Sequence, residues 1–415
     1  MKDSPPGKHS LSGQEEFFNS TKVHILFLAR WYPNRFDPMP GLFVRNHALM
    51  VAGFAGVSVV YVQGVQGGMK RTVIDHSNDQ GIQTWCVYYP VPSIRIPLFG
   101  QLWKGFLYFR ANCRGIRRAI HQSGRPSLIH VHVLTRPGII GLFLHWRYRI
   151  PLVITEHWSR YLPSVNTFKG GVRKWVTRVI VKRAAAVTTP TLNLQNAMKN
   201  SRLLNSHYFL LPNLVDTDRF VPAPVLRKPD QRPVQFVHVS CFEDRSKNIS
   251  GLLRAISTLA KKRNDFQCRL VGVGEDFEAL SRQAEEMGIK DRFVLFSGLL
   301  EGDSLVQAIN KADFMVLSSH HENLPVVIGE AFSCGIPVVS TDVGGISEII
   351  TEQNGLLVKA RDEQSLLDGI EYMLGHFQSY DKDRIRDFAV QRFSKQAVTD
   401  TLKSIYLHAF QIHDR

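Results

Sequence analysis

Short apolar runs alternate along this chain with stretches in which apolar residues recur every three or four positions. Val23–Ala29 is a nearly continuous apolar run bounded by turn residues, the pattern of a strand buried on both faces of a parallel sheet. Val57–Val62 repeats it, and Gly41–Gly53 between them has helical spacing and closes on a glycine. Strands are expected again at Leu128–His132, Leu152–Thr155 and Ala186–Thr189, with helical stretches between. A second series begins after Pro212: Val234–Ser240, Cys268–Gly272, Phe293–Ser297, Phe314–Ser318 and Pro337–Thr341 read as strands, with helices at Ile249–Lys262, Phe277–Met287 and Leu305–Lys311. Alternation of this kind builds a parallel sheet covered by helices, here twice over. The expected fold class is α/β, with two open Rossmann-like domains in tandem. Their boundaries fall at a polar tail over residues 1–21, a first domain over 22–206, a second over 207–393, and a C-terminal helix over 394–415 that folds back on the first domain. Open α/β sheets bind ligands beyond the carboxyl ends of their strands, so a cleft between the two domains is the expected site.

The 415 residues suit two or three domains of about 150 residues each. With 44% apolar and 21% charged residues the chain can bury real cores, which excludes disordered and collagen-like classes. Five scattered cysteines with no C-x-x-C pair argue against a disulfide scaffold or a zinc knuckle and for a reducing cytosol. No apolar run approaches the ~18 residues of a membrane span, and the first twenty residues lack a signal-peptide core. The expected location is cytoplasmic. The net charge of +15 is unevenly spread: residues 1–206 hold 27 Lys/Arg against 7 Asp/Glu, and residues 207–415 hold 24 against 29. Such a basic half seeks an anionic partner.

Ser318–Gly345 carries the most chemistry. A strand ends at Ser318, a loop holds Glu322, Pro325 precedes a helix bearing Glu330, and Gly335 stops that helix before the next strand. The start of a helix offers free N–H groups and a positive dipole end to an anion, and carboxylates accept hydrogen bonds from hydroxyls. Glutamates eight positions apart around such a helix start therefore suit a ligand with hydroxyls at both ends and phosphate in the middle, as in a nucleotide sugar.

Glu322 to Glu330 resembles the E-x7-E motif of glycosyltransferase family 4, the retaining nucleotide-sugar transferases of the GT-B fold, and Gly335–Gly345 fits the same family. The resemblance runs from about Val23 to Phe393. Pro212–Phe220 is similar to the family's junction into the second domain, with Leu214 in place of the usual glycine, and Ser240–Asn248 to its pyrophosphate-binding loop, with Cys241 where an arginine is usual. The resemblance implies that Glu330 binds ribose hydroxyls and Glu322 sugar hydroxyls. It also implies that N–H groups near Asn323 and Leu324 approach the sugar or phosphate, and that Lys247, with Arg245 as second cation, stabilises the departing diphosphate. His157, in Thr155-Glu-His-Trp158, resembles the family's active-site histidine, and Gly41 the glycine that lets the backbone approach donor or acceptor. No metal or other cofactor is implied. Gly272-Val-Gly274 reads as a turn into a helix, and His130 and His132, alternating on a strand with no third ligand at useful spacing, read as structural.

Two basic stretches, Arg95–Arg118 and Lys169–Arg183, interleave aromatics with cations. Helices of that kind lie in a membrane interface or pack on a sheet, and the charge of the first half favours a surface-bound enzyme, peripheral at the inner face of the membrane. The expected partners are a nucleotide-sugar donor, a glycan or lipid-linked acceptor and an anionic membrane surface, with no nucleic acid. The expected function is transfer of a sugar with retention in cell-surface polysaccharide or glycolipid biosynthesis. A non-hydrolysing sugar-nucleotide epimerase has the same two-domain design, and a nucleic-acid-binding protein explains the basic half but not Glu322 and Glu330.

Overall fold

A computed structural model of the protein describes residues 16–413 except 19, 93–96, 164, 166 and 225–232. Most of the expected N-terminal tail and Arg95 lie outside the described residues. The chain divides into two compact units: one runs to Pro190 and adds Gln195–Leu211 and the residues from Val398 on, and the other holds Thr191–Leu194 and Pro212–Ala397.

Among the described residues the first unit is built on eight strands: β1 (His24–Ala29), β2 (Gly56–Gln66), β3 (Val73–Asp79), β4 (Ile82–Val91), β5 (Leu128–His132), β6 (Leu152–Thr155), β7 (Ala186–Thr189) and β8 (Tyr208–Leu210). They lie in the order β3-β4-β2-β1-β5-β6-β7-β8, parallel throughout except for the antiparallel β3–β4 pair. That hairpin has no counterpart in the strands expected from the sequence. It turns through Gln80 and Gly81, both at positive φ as a tight hairpin requires, and its signal is a Gln-Gly pair in place of the usual Asn-Gly. Because β8 completes this sheet, the first unit runs on to Leu211, beyond the expected boundary at 206.

Helix α1 (Leu42–Ala52) connects β1 to β2. The connections β4→β5, β5→β6 and β6→β7 advance across the sheet in the opposite direction, carrying α2 (Pro97–Ser123), α3 (Arg136–Tyr148) and α4 (Gly171–Arg183). Right-handed crossovers running the same way place their helices side by side on one face. Gly115 of α2 sits against Val60 and Val87, and Gly141 of α3 against Val131 and Leu152, each where a Cβ would collide with the strand side chains. Helix α5 (Leu192–Asn200) leads to β8.

Among the described residues the second unit has six parallel strands: β9 (Val234–Val239), β10 (Phe266–Val271), β11 (Val294–Phe296), β12 (Phe314–Leu317), β13 (Val338–Thr341) and β14 (Gly355–Val358). Their order is β11-β10-β9-β12-β13-β14. Its helices are the single turn α6 (Asp244–Lys247), α7 (Ile249–Ala260), α8 (Phe277–Glu286), α9 (Gly302–Asn310), α10 (Val326–Ser333), α11 (Glu363–His376) and α12 (Lys382–Phe393). One apolar cluster joins Phe236, Phe266 and Phe314 to α7 and α11, and another joins Met315 and Ile328 to α12. The last helix, α13 (Lys395–His413), buries Val398, Leu402, Ile405 and Tyr406. Leu214 is absent from the residues with positive φ, so the junction does without the family's glycine. The chain adopts the expected α/β class, with one parallel sheet and one that is parallel but for its edge hairpin.

Candidate functional site

In the second unit the chain steps outward from β9 to β10 and β11, then jumps back to place β12 on the other side of β9. At such a reversal the loops leaving neighbouring strands splay apart and leave a crevice. Those two loops are Ser240–Asn248, after β9, and Ser318–Pro325, after β12. They are tied together: Asn248 donates to the Ser318 carbonyl at 3.2 Å, the Ser318 hydroxyl to the Lys247 carbonyl at 2.9 Å, and the His320 amide to the Ser246 carbonyl at 2.8 Å.

Across this seam the Lys247 ammonium donates to Glu322 Oε1 at 2.6 Å, and the Ser319 hydroxyl donates to the same oxygen at 2.8 Å. The two side chains are only 17% and 11% exposed. The structure thus joins two residues that the sequence reading assigned to different parts of one ligand. Arg245, two positions earlier on the same turn, is exposed and in no ion pair among the described residues. Side chains so spaced on a helix point to different sides.

Pro325 caps α10, whose first turn carries no side-chain cap. Leu324 is buried in the core, so only its backbone can meet a ligand. The Asn323 carbonyl accepts from the Gly345 amide at 2.9 Å. Gly344 stands at φ 63°, and a Cβ there would lie 2.1 Å from the Glu322 carbonyl oxygen, so the double glycine permits the backbone contact that shapes the loop. Glu330, one turn into α10, is largely buried, and its carboxylate has no hydrogen-bond partner among the described residues. Burial pushes its pKa up to about 7. A carboxylate left so is a common mark of a ligand site.

The first unit holds Gly41 and His157. Gly41 adopts φ 75° at the start of α1, where a Cβ would lie 2.2 Å from the Trp31 carbonyl oxygen. His157 follows β6, its amide donating to Glu156 Oε1 at 3.0 Å. Glu156 is fully buried, and its carboxylate also accepts from the Trp158 and Leu134 amides and the Tyr161 hydroxyl at 2.9–3.1 Å. It fixes the turn that carries His157, a role that its place next to the histidine could have suggested.

Around His157 the structure corrects the reading that His132 has no companions. His47 from α1, His132 from β5 and His157 each offer a ring nitrogen within 4.8 Å of the others, a spacing at which a divalent cation could be held. The three come from three elements, so no sequence spacing reveals them. His132 is fully buried, with neither ring nitrogen hydrogen-bonded among the described residues. Burial, and then neighbouring imidazoles, hold His132 and His157 well below the usual histidine pKa, so both are neutral. His130 packs its ring against that of His132, with centroids 4.1 Å apart, but its own nitrogens are taken up in structural contacts with the Tyr406 hydroxyl at 2.8 Å and the Thr155 hydroxyl at 2.6 Å.

Comparison with known proteins adds to this geometry. Residues 56–213 match the family model described as glycosyl transferase 4-like domain, and residues 225–382 the one described as glycosyl transferases group 1. The chain is 25% identical over 341 residues to alpha-D-kanosaminyltransferase of Streptomyces kanamyceticus, covering 76% of this chain and 86% of that protein. It is 29% identical over 317 residues to a D-inositol 3-phosphate glycosyltransferase of Saccharomonospora viridis, covering 70% and 72%. Among solved structures, Anabaena HepE in complex with UDP superposes with a TM-score of 0.68 at 19% identity, over 92% of this chain and 98% of that one.

Proposed function

From the premise that the chain belongs to the family 4 glycosyltransferases, enzymes of the GT-B fold, we propose that it moves a sugar with retention from a nucleotide-sugar donor to a lipid-linked or glycan acceptor in cell-surface polysaccharide or glycolipid synthesis. The observation that carries this reading is the Lys247–Glu322 pair at the sheet reversal, beside a helix bearing the unpartnered carboxylate of Glu330. Glu330 accepts hydrogen bonds from the ribose hydroxyls, which a buried carboxylate does strongly once ionised. Glu322 takes the sugar hydroxyls, and the amides near Asn323 and Leu324 approach the sugar or phosphate. Lys247, with Arg245 closer to solvent, stabilises the charge that builds on the diphosphate as the glycosidic bond breaks. Gly41 lets the backbone come close to donor or acceptor, and His157, neutral, hydrogen-bonds the sugar. That HepE binds UDP supports a nucleotide donor.

The reaction needs no metal in this reading, because the lysine supplies the cationic stabilisation. Treatment with a chelator is expected to leave turnover unchanged; loss that zinc(II) restores would move a metal onto His47, His132 and His157. The test of the whole is a thermal-shift screen with nucleoside diphosphates and sugar nucleotides, followed by a transfer assay on a membrane glycolipid extract with the donor that binds. A shift selective for one base, with labelled sugar appearing in the lipid phase, is expected. Isomerisation of the donor without an acceptor would make the protein an epimerase. No binding of any nucleotide, with salt-sensitive binding of RNA, would replace the enzyme reading altogether.

A further inference from the structure

Between Gln80 and Val215 the sequence contains 19 Lys/Arg and a single carboxylate, Glu156, which is fully buried. The surface of this stretch therefore carries no negative charge of its own. It includes α2, α3 and α4, which hold five, two and five cations.

These helices also expose large apolar side chains in stripes. On α2, Trp103 is 40% and Phe106 52% exposed, their rings 5.5 Å apart, and the same face continues toward Arg110 and Arg117. On α3, Phe143 and Trp146 point outward at 42% and 56% exposure, one turn apart and followed by Arg147. On α4, Val172 and Trp175 are 78% and 66% exposed, and the stripe ends at Lys182 and Arg183. The inner faces are accounted for, since α2 and α3 pack on the strands and Gly138 of α3 meets Ile180 of α4. The stripes are neighbours as well: the rings of Phe109 on α2 and Phe143 on α3 stand 5.3 Å apart. Three successive helices thus expose indole, phenyl and aliphatic groups edged by guanidinium and ammonium groups, and the aromatics of α2 and α3 join into one patch.

We propose that this α2–α3–α4 face docks on an anionic phospholipid bilayer, with Trp103, Phe106, Trp146 and Trp175 seated at the headgroup boundary and the surrounding cations on lipid phosphates. Charge complementarity selects this occupant. Indole rings partition to the headgroup region, and basic residues beside them gain from the negative surface potential. A nucleic acid would reward the cations but not exposed Val172, Phe143 and Phe106, and a second copy of the same face would set cation against cation. No helix among the described residues is long and apolar enough to cross a membrane, so the contact is interfacial. The proposal deepens the function reading and rests on it only for the identity of the acceptor, which the docked face would bring within reach as a lipid-linked molecule.

The test compares the wild-type chain with a variant combining Trp103→Ser, Phe106→Ser, Trp146→Ser and Trp175→Ser, exposed positions whose replacement leaves the core intact. Sedimentation with vesicles of phosphatidylcholine alone, and of phosphatidylcholine with phosphatidylglycerol, is followed across a salt series. Wild type is expected to pellet with the anionic vesicles and to be released in part by salt, its tryptophan fluorescence quenched by brominated lipid. The variant is expected to bind about tenfold or more weakly while keeping its circular dichroism and nucleoside diphosphate affinity. Equal binding to both vesicle types, or full binding by the variant, overturns the proposal. Wild type that ignores vesicles but binds RNA, or dimerises through this face in sedimentation equilibrium, overturns it in favour of that partner. Failed vesicle binding with nucleotide binding intact removes the surface and leaves the enzyme; intact vesicle binding without nucleotide binding does the reverse.

Discussion

Replacing Glu330 by glutamine separates what this carboxylate costs the fold from what it does for the ligand. Burial raises its pKa from 4.5 to about 7. An acid with a raised pKa favours the folded state while protonated: its contribution is complete below the unfolded value and is lost as pH climbs through the folded one. At about 1.4 kcal/mol per pKa unit, the shift from 4.5 to about 7 makes the ionised glutamate a burden of about 3 kcal/mol above neutrality. His238 tilts the same unit the other way. Burial lowers its pKa to about 4, so stability falls as pH drops from the unfolded value of 6.5 toward 4. The informative quantity is therefore the difference between Glu330→Gln and wild type, in which the His238 contribution cancels. Urea denaturation monitored along a pH series should give nearly equal stabilities near pH 4.5 and a variant about 3 kcal/mol more stable near pH 8, roughly 6–12 °C in melting temperature for a unit of this size. Donor affinity, measured by calorimetry on the same samples, should fall about a hundredfold or more as charge-assisted hydrogen bonds to the ribose are lost. A stability difference that does not change with pH would refute the reasoning about burial, and unchanged donor affinity would refute the ribose role.

Glu156→Gln exchanges an acceptor of four hydrogen bonds for a group whose amide faces donors, and should destabilise the first unit by about 2–4 kcal/mol; equal denaturation curves would show that the carboxylate does not hold the His157 turn. Lys247→Met leaves Glu322 as a nearly buried unpaired charge, at about 3 kcal/mol, and should lower turnover about a hundredfold or more. Adding Glu322→Gln should recover stability but not turnover, and a double-mutant cycle without coupling would count against the pair. Gly41→Ala would place a Cβ 2.2 Å from the Trp31 carbonyl oxygen in a left-handed conformation, so a loss of about 2–4 kcal/mol is expected in thermal denaturation, and a neutral substitution would mean that this turn yields easily.

The fold class and most of its strands were legible along the chain because each buried strand is a local run: Leu128–His132, Leu152–Thr155 and Ala186–Thr189 coincide with β5, β6 and β7. The β3–β4 hairpin was not, since its turn lacks the usual residue pair and β3 is largely exposed, with little apolar pattern to read. Local order also delivered the elements around Glu322 and Glu330, where strand, loop and helix follow one another in sequence. What the sequence by itself determined is this succession of short-range choices, together with the charge of the basic half. Tertiary structure alone decided which distant residues meet: Lys247 with Glu322 across two loops, Glu156 with four donors, and His47 with His132 and His157 from three elements. It also decided that aromatics of α2 and α3 meet, Phe109 against Phe143. Contacts of that kind depend on the order of strands in the sheet and on the hand of the crossovers, which no spacing along the chain encodes.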